Sequence, residues 1–185
     1  MKAPEWLSKL ISRSEAQHDK LFYTIDREVI RFTEKVLAEY GQPPHPNEGL
    51  VYWCGKREKN KISITGAIAP KTISSPYKVS TTYESNAQFI NQLSDNAVIQ
   101  IGQVHSHPGT WVDHSDGDDQ WAPFKVKGLL SIVIPSYGMS GMLPLILCGI
   151  HRFDGDQFIR LSSHYVKRRF KIVKGKSTLL KDLRR

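Results

Sequence analysis

Six short apolar segments, at positions 50–54, 61–68, 98–104, 129–134, 143–150 and 158–161, follow one another through the middle of the chain. Their β-branched and aromatic content and their length mark them as strands. The segment at 61–68 alternates apolar and polar residues and pairs with 50–54 through the polar turn at 55–60. Asp154-Gly155 makes a turn between the last two segments. A brief extended run at 21–25 precedes them, and 70–82, rich in Pro, Ser and Thr, reads as a long loop or a loose edge strand. Two helical patterns interrupt the series. Asp26 is placed to N-cap the first, in which Val29, Ile30, Phe32, Val36, Leu37 and Tyr40 form an apolar face and Gly41 stops the helix. The second runs over 84–93 with Ala87, Phe89, Ile90 and Leu93. Trp6, Leu7, Leu10 and Ile11 predict a short amphipathic helix at the start. The expectation is an α/β fold: a mixed, mostly antiparallel sheet flanked by helices.

A chain of 185 residues supports one domain with a substantial core. There is no internal repeat and no linker that divides it. The net charge of +8 resembles a nucleic-acid signature until it is located. From Tyr165 onward nine Lys or Arg residues face one acid, Asp182, so residues 1–164 are neutral. The expected organisation is a body at 1–164 and a basic tail at 165–185. Such a tail can meet phosphates or an acidic protein surface, or simply be a solvated extension. No apolar run approaches the roughly 20 residues of a spanning helix, so no membrane contact is expected. The amino terminus lacks the apolar core and cleavage site of a secretory signal. Cys54 and Cys148 stand 94 positions apart without CxxC spacing, and read as reduced core residues of a cytoplasmic protein.

The chemistry is concentrated at 103–119, where three of the seven histidines and four of the ten aspartates fall within 17 residues. His105 and His107 lie two apart at the end of a strand, so their imidazoles share one face. Pro108-Gly109 turns the chain away, and Asp118 can return a carboxylate from the start of a short helix. A His, His, Asp set with an open fourth position suits catalytic zinc, since structural zinc is usually closed by Cys. Read alone, His-x-His is a weak signal. The aspartates can equally stabilise a helix N-terminus, and the stretch lacks the spacing of a helix-loop-helix calcium site.

The stretch from His105 to Asp118 resembles the JAMM motif of the JAB1/MPN/Mov34 metalloproteases: His, Ser or Thr, His, seven residues, Ser, two residues, Asp. Ser115 and Asp118 complete it without a departure. The family also places a Glu seven residues before a Gly, a spacing that Glu48 and Gly55 reproduce, with Val51 standing where a glycine is usual. The resemblance covers roughly residues 26–162 and implies a single MPN/JAB-type domain, similar to prokaryotic stand-alone members. It implies that His105, His107 and Asp118 hold one Zn²⁺, that Glu48, reached through the proline-rich loop 43–47, is the general base, and that Ser115 donates a hydrogen bond to the oxyanion. Ser106 should face the opposite side of its strand. His114 is either a partner of the ligands or solvent-facing, and Trp111 either contacts substrate or packs its loop.

The resemblance further implies hydrolysis after the C-terminal diglycine of a ubiquitin-like modifier, by deconjugation or precursor processing. Conjugating-enzyme partners and a bacterial antiviral defence setting go with it. The extended tail of such a modifier suits strand addition at 70–82, where Ser74, Ser75 and Tyr77 are candidate contacts. The alternatives are a non-catalytic MPN scaffold, which lacks the ligands, and nucleic-acid or acidic-protein binding by the tail.

Overall fold

Asp26 closes the first strand and opens the first helix. With φ −65° and ψ 137° it is extended, and its carboxylate accepts the Glu28 N–H at 3.0 Å, which satisfies one of the free donors of the first helical turn. In the computed structural model, which describes residues 19–175 and 179–185, strand β1 (Phe22–Asp26) leads directly into α1 (Arg27–Tyr40). Then come β2 (Leu50–Glu58), β3 (Lys61–Ala69), β4 (Thr72–Ser75), β5 (Lys78–Thr81), α2 (Tyr83–Asp95) and β6 (Ile99–Ser106). After α3 (Asp116–Trp121) and β7 (Leu130–Ile134), two short 3₁₀ turns, Ser136–Gly138 and Leu145–Leu147, precede β8 (Gly149–Phe153) and β9 (Phe158–Arg160). The chain finishes with α4 (Ser163–Arg169), β10 (Phe170–Val173) and β11 (Leu179–Asp182).

The main sheet runs β10-β1-β3-β2-β6-β7-β8-β9, with β11 also paired to β3. It is mixed. Antiparallel ladders join β3, β2 and β6 at its centre and β7, β8 and β9 at one side. Parallel pairs join β6 to β7 and bring β1, β10 and β11 to the far side. The central strand is covered on both faces. Val51 and Trp53 pack in the cluster under α1, whereas Leu50, Tyr52 and Cys54 pack with Phe89 of α2. Burying Trp53 completely requires a partner for its indole N–H, which Thr33 Oγ1 of α1 supplies at 2.8 Å. β4 and β5 form a separate two-stranded hairpin.

Three local expectations change. Within 165–185, the described residues 165–173 and 179–182 pack onto the body instead of forming a separate tail. Tyr165, Val166, Phe170 and Leu179 are buried, β10 adds to β1, and β11 adds to β3. Phe170 stacks on Tyr23 at 4.3 Å between ring centroids, and the Tyr165 hydroxyl donates to Asp19. The cations Lys167, Arg168 and Lys171 lie on the exposed side of these elements, so the charge is a solvated face of the sheet domain. Second, 143–150 is not one strand, because 145–147 forms a 3₁₀ turn and pairing begins at Gly149. A proline at 144 lacks the N–H that a ladder needs. Third, of the loop and the loose edge strand left open for 70–82 the strand form holds, but as the β4–β5 hairpin, a sheet of its own rather than an edge of the main one. The opening helix expected around Trp6 lies outside the described residues. Cys54 and Cys148 are buried free thiols, and no described helix is long and apolar enough to cross a membrane.

Candidate metal centre

Strand β6 alternates as its sequence requires. Val104 joins the α1-side core and Ser106 turns the same way, while Gln103 and His105 line a cavity on the other face. One residue past the strand, the His107 N–H donates to the Ile134 carbonyl at 2.9 Å, which keeps the backbone extended and the two imidazoles together. Their Nε2 atoms lie 3.2 Å apart. The His107 Nδ1–H donates to the Trp111 carbonyl at 3.1 Å, which orients the ring so that Nε2 faces His105 and Asp118.

Asp118 reaches the pair from the first turn of α3. Ser115 is the N-cap: its Oγ accepts the Asp118 N–H at 3.1 Å, and Asp118 Oδ2 accepts the Ser115 N–H at 2.8 Å. This reciprocal box holds the carboxylate on the cavity side. Asp118 Oδ1 is 3.2 Å from His105 Nε2, and Oδ2 is 3.3 Å from His107 Nε2. Metal–nitrogen bonds of about 2.0–2.1 Å in a tetrahedron imply ligand–ligand edges of about 3.3–3.4 Å. Each contact is about that long, with Asp118 meeting the two imidazoles through different oxygens, and one ligand atom from each of the three residues lies within 4.8 Å of the others. Among the described residues this is the only His, Cys, Asp or Glu group so gathered. Burial pushes the Asp118 carboxyl up, but hydrogen bonds from His105 and His107 outweigh it and hold the group well below the usual carboxylate range.

Glu48 faces this triad across the cavity. The antiparallel register that pairs Leu50 with His105 brings residue 48 opposite 107. Its backbone is tied on both sides. The Glu48 N–H donates to the Ser75 carbonyl at 2.9 Å, and the next N–H, of Gly49, donates to Ser106 Oγ at 3.0 Å. The residue is 5% exposed, and burial pushes its carboxyl up to about 7, with His107 opposing. Glu48, His105, Ser115 and Asp118 all border one cavity of about 390 Å³. The Ser115 hydroxyl donates to Asp118 Oδ2 at 2.8 Å.

The secondary candidates divide. Tyr77 borders the cavity, as do Val79, Ser80 and Thr81 of β5. Ser74 and Ser75, on β4, do not border it. Ser75 acts instead through its carbonyl on Glu48. Trp111 is half exposed and stacks on His107, with ring centroids 5.3 Å apart at 20°. His114 is buried. Its Nδ1–H donates to Asp119 at 2.7 Å and its Nε2 accepts the Ser131 hydroxyl at 2.9 Å. Ser131 in turn accepts from Gln103 Nε2 at 3.3 Å. Desolvation keeps the His114 imidazole neutral, down at about 2. Sequence reasoning did not foresee this chain from α3 through β7 to β6. Only the proximity of His114 to the motif hinted at it.

No family model matches the chain. The probable metalloprotease y4jG of Sinorhizobium fredii is 26% identical over 126 residues, which is 66% of this chain and 76% of that protein. The solution structure of protein DSY2949 from Desulfitobacterium hafniense superposes with a TM-score of 0.61 at 15% identity, covering 83% of this chain and 94% of that one. The crystal structure of AF2198, a JAB1/MPN domain protein from Archaeoglobus fulgidus, aligns at a TM-score of 0.36 and 16% identity, over 82% and 96% of the two chains. Only the first of these two superposes closely enough to share the fold.

Proposed function

We propose that this chain is a zinc-dependent peptidase of the JAMM type, hydrolysing the bond after the C-terminal glycine of a ubiquitin-like modifier. The observation that carries the reading is the triangle of donor atoms from His105, His107 and Asp118, facing a buried Glu48 in a single cavity. Two imidazoles and a carboxylate suit zinc among the common divalent ions. The y4jG protein, a probable metalloprotease, supports the peptidase class. When bound, the metal supplies Lewis acidity that makes hydroxide available near neutral pH.

The protein residues do the remainder. Glu48, with its backbone held by Ser75 and Ser106, takes a proton from the attacking water and returns it to the leaving amine. Ser115, beside Asp118, turns its hydroxyl toward the oxyanion as the carbonyl becomes tetrahedral. Such a donor contributes about 2.7–4 kcal/mol to lowering the barrier. No covalent enzyme intermediate is needed. The substrate reading rests on β5: its residues Lys78–Thr81 border the cavity, which suits an extended tail that adds as a strand.

The test is cleavage of a panel of diglycine-ended modifier fusions by wild type, Glu48→Ala and chelator-treated protein, with bound metal quantified in each. Cleavage by wild type only, with about one zinc per chain retained in Glu48→Ala, supports the reading. Zinc without cleavage of any fusion rejects the modifier as substrate, and absence of bound metal makes the chain a scaffold.

A further inference from the structure

Ser136 and Tyr137, just past β7, both adopt left-handed backbone conformations, each with φ 53°. Residues with a Cβ take that region only when their surroundings hold them there, and such positions gather at functional sites. Here the surroundings do so from three sides. The Tyr137 N–H donates to the carbonyl of His107 at 2.7 Å, and the Ser136 N–H donates to the carbonyl of Gly109 at 2.9 Å. The third side is the end of α1, where a Cβ on Gly41 would stand 2.8 Å from Tyr137 Cβ and 2.9 Å from its carbonyl oxygen. The side chain so placed reaches away from its own loop, and its hydroxyl donates to the Pro76 carbonyl at 3.0 Å. Pro76 is in the turn of the β4–β5 hairpin, one residue past the Ser75 carbonyl that receives the Glu48 N–H.

We infer that Tyr137 is a positioning residue that fastens the β4–β5 hairpin to the metal-ligand strand and so sets the distance between the β5 edge and the scissile bond. Tyr137 supplies no ligand atom and does not itself border the cavity. Its backbone is bonded to a residue that carries a ligand, and its hydroxyl is bonded to the element that carries the substrate edge. The hairpin is a two-stranded ribbon outside the main sheet, and such ribbons need support from the body. Its strands have it from Tyr40 on Thr72 at 2.7 Å, Tyr52 on Thr81 at 3.3 Å and Val79 against the Phe89 cluster. The tie through Glu48 fixes its β4 strand, and the tie through Tyr137 fixes its turn. The inference rests on the proposed use of β5 as the substrate edge.

The experiment compares wild type with Tyr137→Phe, which keeps the ring and removes only the donated hydrogen bond. Hydrogen exchange at the amides of 73–81 and steady-state kinetics on a diglycine-ended fusion are both measured, with bound metal as the folding control. The expected result is faster exchange in the hairpin, a KM raised roughly two- to tenfold, as loss of one hydrogen bond implies, and unchanged kcat and metal content. Unaltered exchange in the hairpin overturns the inference. So does a fall in kcat at unchanged KM, because that places Tyr137 in the chemistry. If wild type cleaves no fusion, the substrate reading fails by itself, and the exchange measurement alone still decides whether Tyr137 holds the hairpin.

Discussion

Gly49 and Ser106 are joined twice: the Gly49 N–H donates to Ser106 Oγ at 3.0 Å, and the Ser106 N–H donates to the Gly49 carbonyl at 3.2 Å. Ser106 lies between the two histidines in sequence, and Gly49 follows Glu48. The side of β6 away from the cavity thus fixes the acid on the cavity side. A Cβ at Gly49 would stand 2.6 Å from the Tyr40 ring, so the segment is pressed against α1 as well. Ser106→Ala leaves the Gly49 N–H buried without an acceptor, at a cost of about 1–3 kcal/mol. Expected together are a lower Tm and a reduced kcat with metal content unchanged. Cys at this position, a weaker acceptor of similar size, should fall between the two.

Glu48→Gln keeps the shape of the side chain and removes the base. The rate of peptide-bond hydrolysis should drop by about 10²–10⁴-fold, whereas metal stoichiometry and Tm stay close to wild type. Loss of the metal in this variant would move Glu48 from base to ligand.

Gly149 on β8 is where the loop after His107 rests. A Cβ there would lie 1.7 Å from the Val112 carbonyl oxygen, a backbone atom that cannot yield by a rotamer change. Gly149→Ala must therefore displace the loop that presents the Trp111 carbonyl to His107 Nδ1. Overpacking of this kind costs about 1–3 kcal/mol. Disturbing the partner of a ligating histidine typically lowers metal affinity about 10–100-fold. Denaturant unfolding and a competitive chelator titration read the two effects separately.

His151 on β8 is 3% exposed, and burial pushes its imidazole down to about 4 from the usual 6.5, against the opposing pull of Asp113. Between those values the unfolded chain binds the proton and the folded chain does not. Stability is therefore complete above about 6.5 and declines as the pH falls toward 4, by about 3 kcal/mol. Urea unfolding from pH 7.5 to 4 should show this slope in wild type and a shallower one in His151→Gln. Equal slopes would assign the acid sensitivity to other groups.

Metal should stabilise the fold through three residues brought from two elements, β6 with its extension and α3. Adding zinc to chelator-treated protein should raise Tm, by the linkage between binding and folding. In Asp118→Ala the same addition should raise it far less. The Ser115–Asp118 box is lost in that variant, so its metal-free Tm provides the reference for the comparison.

The amino-acid sequence alone determined those features whose causes lie within a few residues. Asp26 as helix cap, the apolar stripe of α1, the shared face of His105 and His107, and Asp118 at a helix start all follow from backbone periodicity and local capping. Tertiary structure decided what depends on partners distant in the chain. The last 21 residues looked like a charged tail because exposed cations dominate their composition. Their few buried side chains gain meaning only once β1 and β3 offer them edges, and parallel pairing between remote strands leaves no local periodic trace. Proline 144 broke a run that apolar composition alone suggested was a strand. The hold of Ser106 on Gly49, the chain from His114 to Gln103 and the strained Tyr137 beside the hairpin are likewise contacts between segments. A side chain's residue type does not disclose its neighbour across the fold, since packing, not sequence distance, brings the two together.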